Sequence, residues 1–530
     1  MRIGPPWPGA IQKEFDNHTR NGSWRTMLRS DVPPGRRVHK FVWVFKLKRD
    51  GTAKARLCVQ GCTLQEGVDY DQTFAKTLIQ PSARGLFAFA ARNGCRVRSV
   101  DYVAAYLQGD FIDGEVVYCL PPSGAPTHDN HGRALVCVVE KPIYGVPQAG
   151  RRLQRKVFPW CTSVMGLRQL DDSDSCVFVY DDPAGKETFA VGIYVDNLQI
   201  VHSAELDEEG DAIDPSSFYA KFMSQLRKDW DVVDEGPMED LLGIESTWND
   251  DGSLLLHQSK YISKVLDRFF TREQLSKFKK SATPFTSDLP KLVIEALDGS
   301  TADAPAYPDL VKPYQQKVGC LMYACTATRP DLAYAVHQHC RALSRPTPEL
   351  MAELDVTFAY LDRNRALGLR FESGTQHTLE AYADASWEVK NSTSGWVVFW
   401  QNAPLVWGSR KQNSIALSSC EAEIIALSEA AKDVVYLRKF VRGLTGSDLD
   451  STRCRTDNKA ARDLSYNPEL HNRTKHVARR NFFIRDMVEA YEITVPLVST
   501  VNNWADFFTK PLKPGSFVLM RDKIMNAASR

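Results

Sequence analysis

A chain of 530 residues with 66 Lys and Arg against 65 Asp and Glu has room for several domains at the usual ~100 to 200 residues each. Its apolar and aromatic content is that of ordinary globular protein, and with no run of 18 apolar residues and no signal-peptide pattern a soluble chain with no membrane partner is expected. Twelve cysteines lack C-x-x-C pairs, and the closest couple, Cys58 and Cys62, has no histidines nearby, which argues against structural zinc and for reduced, mostly buried thiols.

Residues 1–20 open on Pro and Gly with little pattern and read as a disordered lead-in. The net charge of +1 conceals an uneven distribution: from Arg20 to Gln60 stand eleven Lys/Arg and only two acids, Asp31 and Asp50, a local field suited to phosphate. Within it, Phe41 to Lys48 and Lys54 to Gln60 alternate apolar and basic residues around Arg49-Asp50-Gly51-Thr52, the pattern of a β-hairpin with basic side chains on one face. A helix is expected around Pro81 to Asn93, then a strand into Asp101, with an aromatic, Tyr106, five residues later. Residues 188 to 202 read as two short strands, with Val191, Ile193 and Val195 alternating, about the turn Tyr194-Val195-Asp196-Asn197. Alone, that turn is a common structural solution, because Asp and Asn tolerate left-handed backbone angles. Together with Asp101, however, it offers two carboxylates from different strands, as nucleotidyl transfer by two metal ions about 4 Å apart requires. Glu205 to Asp214 is an acidic, solvated loop. Residues 217 to 285 read as mainly helical with a strand near Leu254, Ser281 to Pro308 as a linker, and Tyr314 to Arg363 as helices.

From Thr378 the pattern changes. Asp384 follows a strand-like start, Ser394 to Trp400 is a second strand, and Ser418 with Glu421 forms a capping box that opens a helix to about Leu444. Glu421 and Glu423 lie about 200° apart around that helix, so only one can face a site shared with Asp384. Asp457 follows the short strand Arg453 to Thr456, and Asp506 precedes Phe-Phe-Thr-Lys510. Acids spaced 39, 34 and 49 residues apart can meet only through the fold. A second basic run, His471 to Arg485, holds Arg473, Lys475, Arg479, Arg480 and Arg485 and no acid.

Several strings, in order, resemble one family. They are Asn21-Gly-Ser-Trp24, Trp43-Val-Phe-Lys46, Lys54-Ala-Arg-Leu57, Gln65-Glu-Gly-Val-Asp-Tyr-Asp-Gln-Thr-Phe74, Lys141-Pro-Ile-Tyr-Gly-Val-Pro-Gln148, Thr328-Arg-Pro-Asp331 and Arg473-Thr-Lys-His476. Over about residues 21 to 515 the chain is similar to the reverse transcriptase and ribonuclease H region of copia-type (Pseudoviridae) LTR retrotransposon Pol polyproteins. The resemblance implies an α+β multidomain fold: a right-hand polymerase with fingers and palm over 21–245, thumb and linker over 246–290, a connection-like helical segment over 291–375, a C-terminal α/β ribonuclease H-like domain over 376–512, and a tail over 513–530.

It implies Asp101 and Asp196 as the polymerase metal ligands. Arg56, with Lys48 or Lys54, would contact the triphosphate, Gln148 would lie near the nucleotide sugar, and Tyr106 would exclude a 2′-hydroxyl. In the second domain it implies Asp384, Glu423, Asp457 and Asp506 as metal ligands, with His476 assisting proton transfer or product release, or contacting phosphate. Two divalent ions, Mg2+ or Mn2+, would serve each site. The implied partners are an RNA template, a DNA primer–template, an RNA–DNA hybrid and deoxynucleoside triphosphates; integrase or Gag products of the same element and a dimer are admitted as well. The family setting is a cytoplasmic virus-like particle, with a nuclear location also open. Two departures stand out: Asn197 replaces the family's second acid at the turn, and Arg151-Arg-Leu153 lacks a common aromatic. No protease, zinc knuckle or integrase-like segment is seen, so a polyprotein portion or a truncated element copy is expected. An active enzyme and a decayed or domesticated nucleic-acid-binding relic both remain open, and primer extension separates them.

Overall fold

The computed structural model describes residues 6–47, 51–112, 115–278, 280–298, 307–373, 378–388, 392–400, 402–467 and 478–527. The chain is mixed α/β, and among the described residues no helix is long and apolar enough to cross a membrane. It divides into two compact units that are not contiguous in sequence: Met1–Leu78, Arg98–Asp171 and Ser175–Gly236 form the first, and Ile79–Val97, Asp172–Asp174 and Pro237–Arg530 the second. Segments read as one stretch in the sequence, 21–245 above all, are thus shared between units.

In the first unit, strands Phe41–Leu47 and Ala53–Val59 pair with Val42 opposite Cys58, Val44 opposite Arg56 and Lys46 opposite Lys54. Alternation places these six on one face and Trp43, Phe45 and Leu57 on the other. A lone two-stranded hairpin is marginal in water. Here helix Trp7–Arg20 covers the apolar face, with Trp7 5.0 Å from Phe45 and Phe15 edge-on to Trp43 at 5.4 Å. The Glu14 carboxylate accepts the Leu57 N–H at 3.0 Å. A disordered lead-in is therefore corrected from residue 7 onward: Pro8 sits in the first turn, where its missing N–H has no partner to lose.

A four-stranded sheet runs in the order Trp24–Leu28, Leu135–Val139, Val117–Cys119, Val38–His39. A six-stranded sheet runs Val232–Pro237, Arg96–Tyr102, Asn197–His202, Phe189–Tyr194, Asp174–Val179, Arg168–Leu170. Val100, Val191, Ile193 and Ile200 of the larger sheet share a core with Leu153 and Val157 of helix Ala149–Pro159 and with Phe222 and Leu226 of helix Phe218–Asp229. Each such side chain contributes about 1.5–3 kcal/mol by burial.

The second unit is less helical at its start than the sequence suggests. Strands Asp240–Leu241, Ile244–Trp248 and Leu254–His257 join Gly368–Phe371 in a four-stranded sheet. The expected linker holds a helix, Leu289–Asp298, whose Leu289 and Val293 enter an apolar cluster with Leu321, Leu354 and Phe358. The expected tail holds another, Pro514–Ile524, whose Phe517, Met520 and Ile524 join the same cluster.

The Thr328-Arg-Pro-Asp331 string is structural. Arg329 and Asp331 are buried and paired through two hydrogen bonds of 2.8 and 2.6 Å, and Asp331 also accepts from Tyr360 Oη at 2.7 Å. Asp331→Ala strands a buried guanidinium and is expected to cost about 3–5 kcal/mol, read as a lower urea midpoint. An unchanged midpoint would mean the pair is dispensable.

The last sheet of this unit runs Ala403–Lys411, Thr393–Trp400, Glu380–Ser386, Thr452–Arg455, Ile493–Thr494. Glu380–Ser386 is antiparallel to Thr393–Trp400 and parallel to Thr452–Arg455. Helix Ser419–Thr445 makes the crossover, and its Ala426, Leu427, Ala430 and Val434 are buried.

Candidate functional site

Three carboxylates of the second unit converge. Asp384, Asp457 and Asp506 each place an oxygen within 4.8 Å of the others. Asp384 lies near the end of its strand and Asp457 just beyond the end of the parallel neighbour Thr452–Arg455, so strand pairing alone brings them together. Asp506 arrives on the 3-10 turn Trp504–Phe508. Asn503 docks that turn by donating to Ala383 O at 3.3 Å. Close docking requires Gly395, paired across from Asp384, because a Cβ there would stand 2.6 Å from Thr509 Cγ2 and 2.8 Å from Phe508 Cβ.

Glu423 takes the inward position on helix Ser419–Thr445, and its Oε2 is buried without a hydrogen-bond partner among the described residues. Glu421 turns back to the helix start. Its carboxylate accepts from Leu417 N at 2.7 Å while Ser418 Oγ accepts from Glu421 N at 3.2 Å, so the capping exchange is shifted by one residue from a strict box. Lys510 reaches in among the acids, 2.7 Å from Asp506 and 3.4 Å from Asp384, and Thr509 Oγ1 donates to Asp384. A cation already stands among the carboxylates and a buried acidic oxygen goes unpaired: this donor set of hard oxygens fits divalent cations.

Burial, then the Asp384 and Asp457 charges, push the Glu423 carboxyl up to about 9, while burial and Asp384 push Asp506 up to about 6 against the pull of Lys510. Both bind a proton more tightly folded than unfolded. They therefore stabilise the metal-free protein fully below about pH 4, and that contribution is lost as pH rises through their folded values. Melting temperature in EDTA is expected to fall across that window, magnesium to restore it, and Glu423→Gln to remove the alkaline part of the fall. A flat profile in EDTA would contradict this crowding of acids.

In the first unit, Tyr194 pairs with Asn197, which leaves Val195-Asp196 as a two-residue turn. The left-handed position falls on Val195, φ +57°, rather than on the Asp or Asn that tolerate it. A β-branched residue there is an outlier, with a cost of about 1–3 kcal/mol that the surrounding hairpin must sustain. The strand Arg96–Tyr102 lies beside Asn197–His202, and Tyr102 N donates to Asp196 O at 2.8 Å. This brings Asp101 to the turn that carries Asp196. Asn197 Oδ1 is buried without a hydrogen-bond partner among the described residues. Two carboxylates and an unpaired amide oxygen fit a divalent cation with one negative charge fewer than three acids would offer.

Tyr106, on the 3-10 turn Ala105–Gln108, is half-buried with its ring 4.8 Å from that of Tyr144. Arg56 lies over the Tyr144 ring at 4.5 Å. Lys54 shares the hairpin face of Arg56, and so does Lys46, which sequence reasoning passed over. Tyr144, Thr509 and Lys510 were passed over too, although each sits inside a string already noted.

Some expected contacts fall elsewhere. Gln148 is wholly buried and its amide donates to Asp69 O at 3.1 Å, so it ties the loop before Tyr70 to the start of helix Ala149–Pro159 rather than reaching toward a sugar. Arg485 is buried, with Nε donating to Leu464 O at 3.2 Å; it braces its helix. Lys48, His471, Arg473, Lys475 and His476 lie outside the described residues.

Residues 24–286 match the family described as reverse transcriptase (RNA-dependent DNA polymerase). The chain is 30% identical to the retrovirus-related Pol polyprotein from transposon TNT 1-94 of Nicotiana tabacum, over 97% of this chain and 37% of that protein. It is 29% identical to the retrovirus-related Pol polyprotein from transposon RE1 of Arabidopsis thaliana, over 98% of this chain and 34% of that protein. The chain thus spans about a third of the length of these relatives. Among solved structures, a foamy viral protease-reverse transcriptase in complex with double-stranded DNA is similar at 12% identity and a TM-score of 0.46, over 94% of this chain and 71% of that one, a likeness too loose to carry weight.

Proposed function

The chain belongs to the copia-type retrotransposon Pol family, with its reverse transcriptase region over residues 24–286, and from that premise we propose that the first unit copies RNA and DNA templates into DNA and the second hydrolyses the RNA strand of RNA–DNA hybrids. One observation supports this above others: Asp384, Asp457 and Asp506 of the second unit bring carboxylate oxygens within 4.8 Å of one another, while in the first unit the backbone bond from Tyr102 N to Asp196 O joins the strand of Asp101 to the turn of Asp196. Divalent cations bound there, magnesium or manganese, supply activation of the attacking oxygen and stabilisation of the leaving oxygen.

The rest falls to the chain itself. Asp101 and Asp196 would hold the cations of the first unit, and Lys54 and Arg56, joined by Lys46, neutralise the incoming triphosphate. The flat ring of Tyr106 stands where a 2′-hydroxyl has to be excluded. Asp384, Glu423, Asp457 and Asp506 would hold the cations of the second unit; Thr509 orients Asp384, and Lys510 offsets part of the negative charge the acids gather. In this reading the hairpin and four-stranded sheet are the fingers, the six-stranded sheet is the palm, and the second unit carries thumb, connection and ribonuclease H-like portions.

Asn197 favours a second reading, a nucleic-acid-binding relic with impaired polymerisation. The purified chain, given a DNA primer on an RNA template with deoxynucleoside triphosphates and magnesium, is expected to lengthen the primer slowly and in template order. Tight binding without lengthening would favour the relic.

A further inference from the structure

The string Lys141 to Gln148 is held against the basic hairpin by backbone contacts with no room for adjustment. Val59 N donates to Tyr144 O at 2.7 Å. A Cβ on Gly145, at φ +92°, would stand 2.0 Å from Val59 O, and one on Gly61 would stand 2.1 Å from Gly145 O. Only glycine fits at either place. Tyr144 is therefore fixed relative to the strand that carries Arg56 three residues before Val59.

Its ring has two close neighbours. The Arg56 guanidinium carbon lies 4.5 Å from the ring centroid, and the Tyr106 ring lies 4.8 Å away at an interplanar angle of 56°. Arg56 Nε is buried without a hydrogen-bond partner among the described residues, so what orients that edge of the guanidinium is the aromatic face.

We propose that Tyr144 is a positioning residue that couples the triphosphate contact at Arg56 to the sugar gate at Tyr106, so that one ring sets both nucleotide affinity and sugar selectivity. The inference rests on the polymerase reading given above. A cation held over an aromatic face and a second ring packed on it are each lost when the ring is removed, and the two losses should appear together.

Single-nucleotide incorporation of matched deoxyribo- and ribonucleotides tests this in the full chain. Tyr144→Ala is expected to raise the deoxynucleotide KM about tenfold and to lower discrimination against ribonucleotides, with kcat much less affected. Tyr144→Phe, which keeps the ring, is expected to recover most of both losses. Should Tyr144→Ala fold poorly, Tyr144→Leu keeps bulk without an aromatic face and is expected to show the same paired losses. Adding Arg56→Ala to Tyr144→Ala should raise KM little further, because the two act through one contact. An equal fall in kcat for both sugars, or Tyr144→Phe no better than Tyr144→Ala, would overturn the coupling. If the unmodified chain extends no primer, the polymerase reading fails and takes the inference with it; if it extends and Tyr144→Ala changes neither KM nor selectivity, the inference alone fails.

Discussion

Asn197→Asp is expected to speed primer extension by two orders of magnitude or more, on the order of 3 kcal/mol at the transition state. Asn197 sits directly after Asp196 with its amide oxygen buried and without a hydrogen-bond partner among the described residues, at the first position of the strand that pairs back on Tyr194. An amide can offer that oxygen to a cation but brings no charge, so at the proposed polymerase site a pair of cations would face one negative charge fewer. The same burial makes a second expectation. A carboxylate placed there without a cation is desolvated and beside Asp196, so Asn197→Asp should lower the melting temperature in EDTA and regain it in magnesium. Primer–template affinity should not change, since neither residue belongs to the basic hairpin face. Equal extension rates for the two proteins would show that the missing acid is dispensable.

Asp384→Asn is expected to reduce cleavage of the RNA strand at least about a hundredfold. Asp384 is buried at the centre of its cluster, holding Thr509 and Lys510 as well as facing Asp457 and Asp506. Asparagine keeps the shape and most of the hydrogen bonding, so the fold should survive. With one negative charge gone, the Glu423 carboxyl should titrate lower than its present value of about 9, because Asp384 is the largest charge raising it after burial. The loss of cleavage and the lowered titration, seen together, would separate an electrostatic role from mere packing; a variant that cleaves normally would remove Asp384 from the chemistry.

What could be read in the sequence was mostly what local pattern controls. The alternation of Phe41 to Gln60 marked a hairpin whose register puts Arg56 and Lys54 on one face. The 200° separation of Glu421 and Glu423 correctly left one of them for the helix start, which is Glu421. Other features depend on contacts that no local pattern carries. Helix Trp7–Arg20 looks unpatterned until the hairpin supplies a face for Trp7 and Phe15. The left-handed angle falls on Val195 because strand pairing fixes the turn at two residues, whatever the preferences of Asp196 and Asn197. Gln148 looked available for a sugar contact, but its burial is set by the Asp69 carbonyl, 79 residues away in sequence. Phe517, Met520 and Ile524, by contrast, are spaced as one face of a helix, so the helix Pro514–Ile524 is legible in local pattern even though the resemblance implies only a tail there.

The proposed function is that one chain holds two independent, cation-dependent sites, the cluster of Asp384, Asp457 and Asp506 in the second unit and the pair Asp101 and Asp196 in the first. It is tested most directly by a single hybrid substrate labelled on both strands, DNA primer and RNA template, followed with the unmodified chain, Asp196→Asn and Asp384→Asn. The unmodified chain is expected to lengthen the DNA slowly and shorten the RNA, Asp196→Asn to lose only the first, and Asp384→Asn to lose only the second. Loss of both activities in either variant, or neither activity in the unmodified chain, would contradict it.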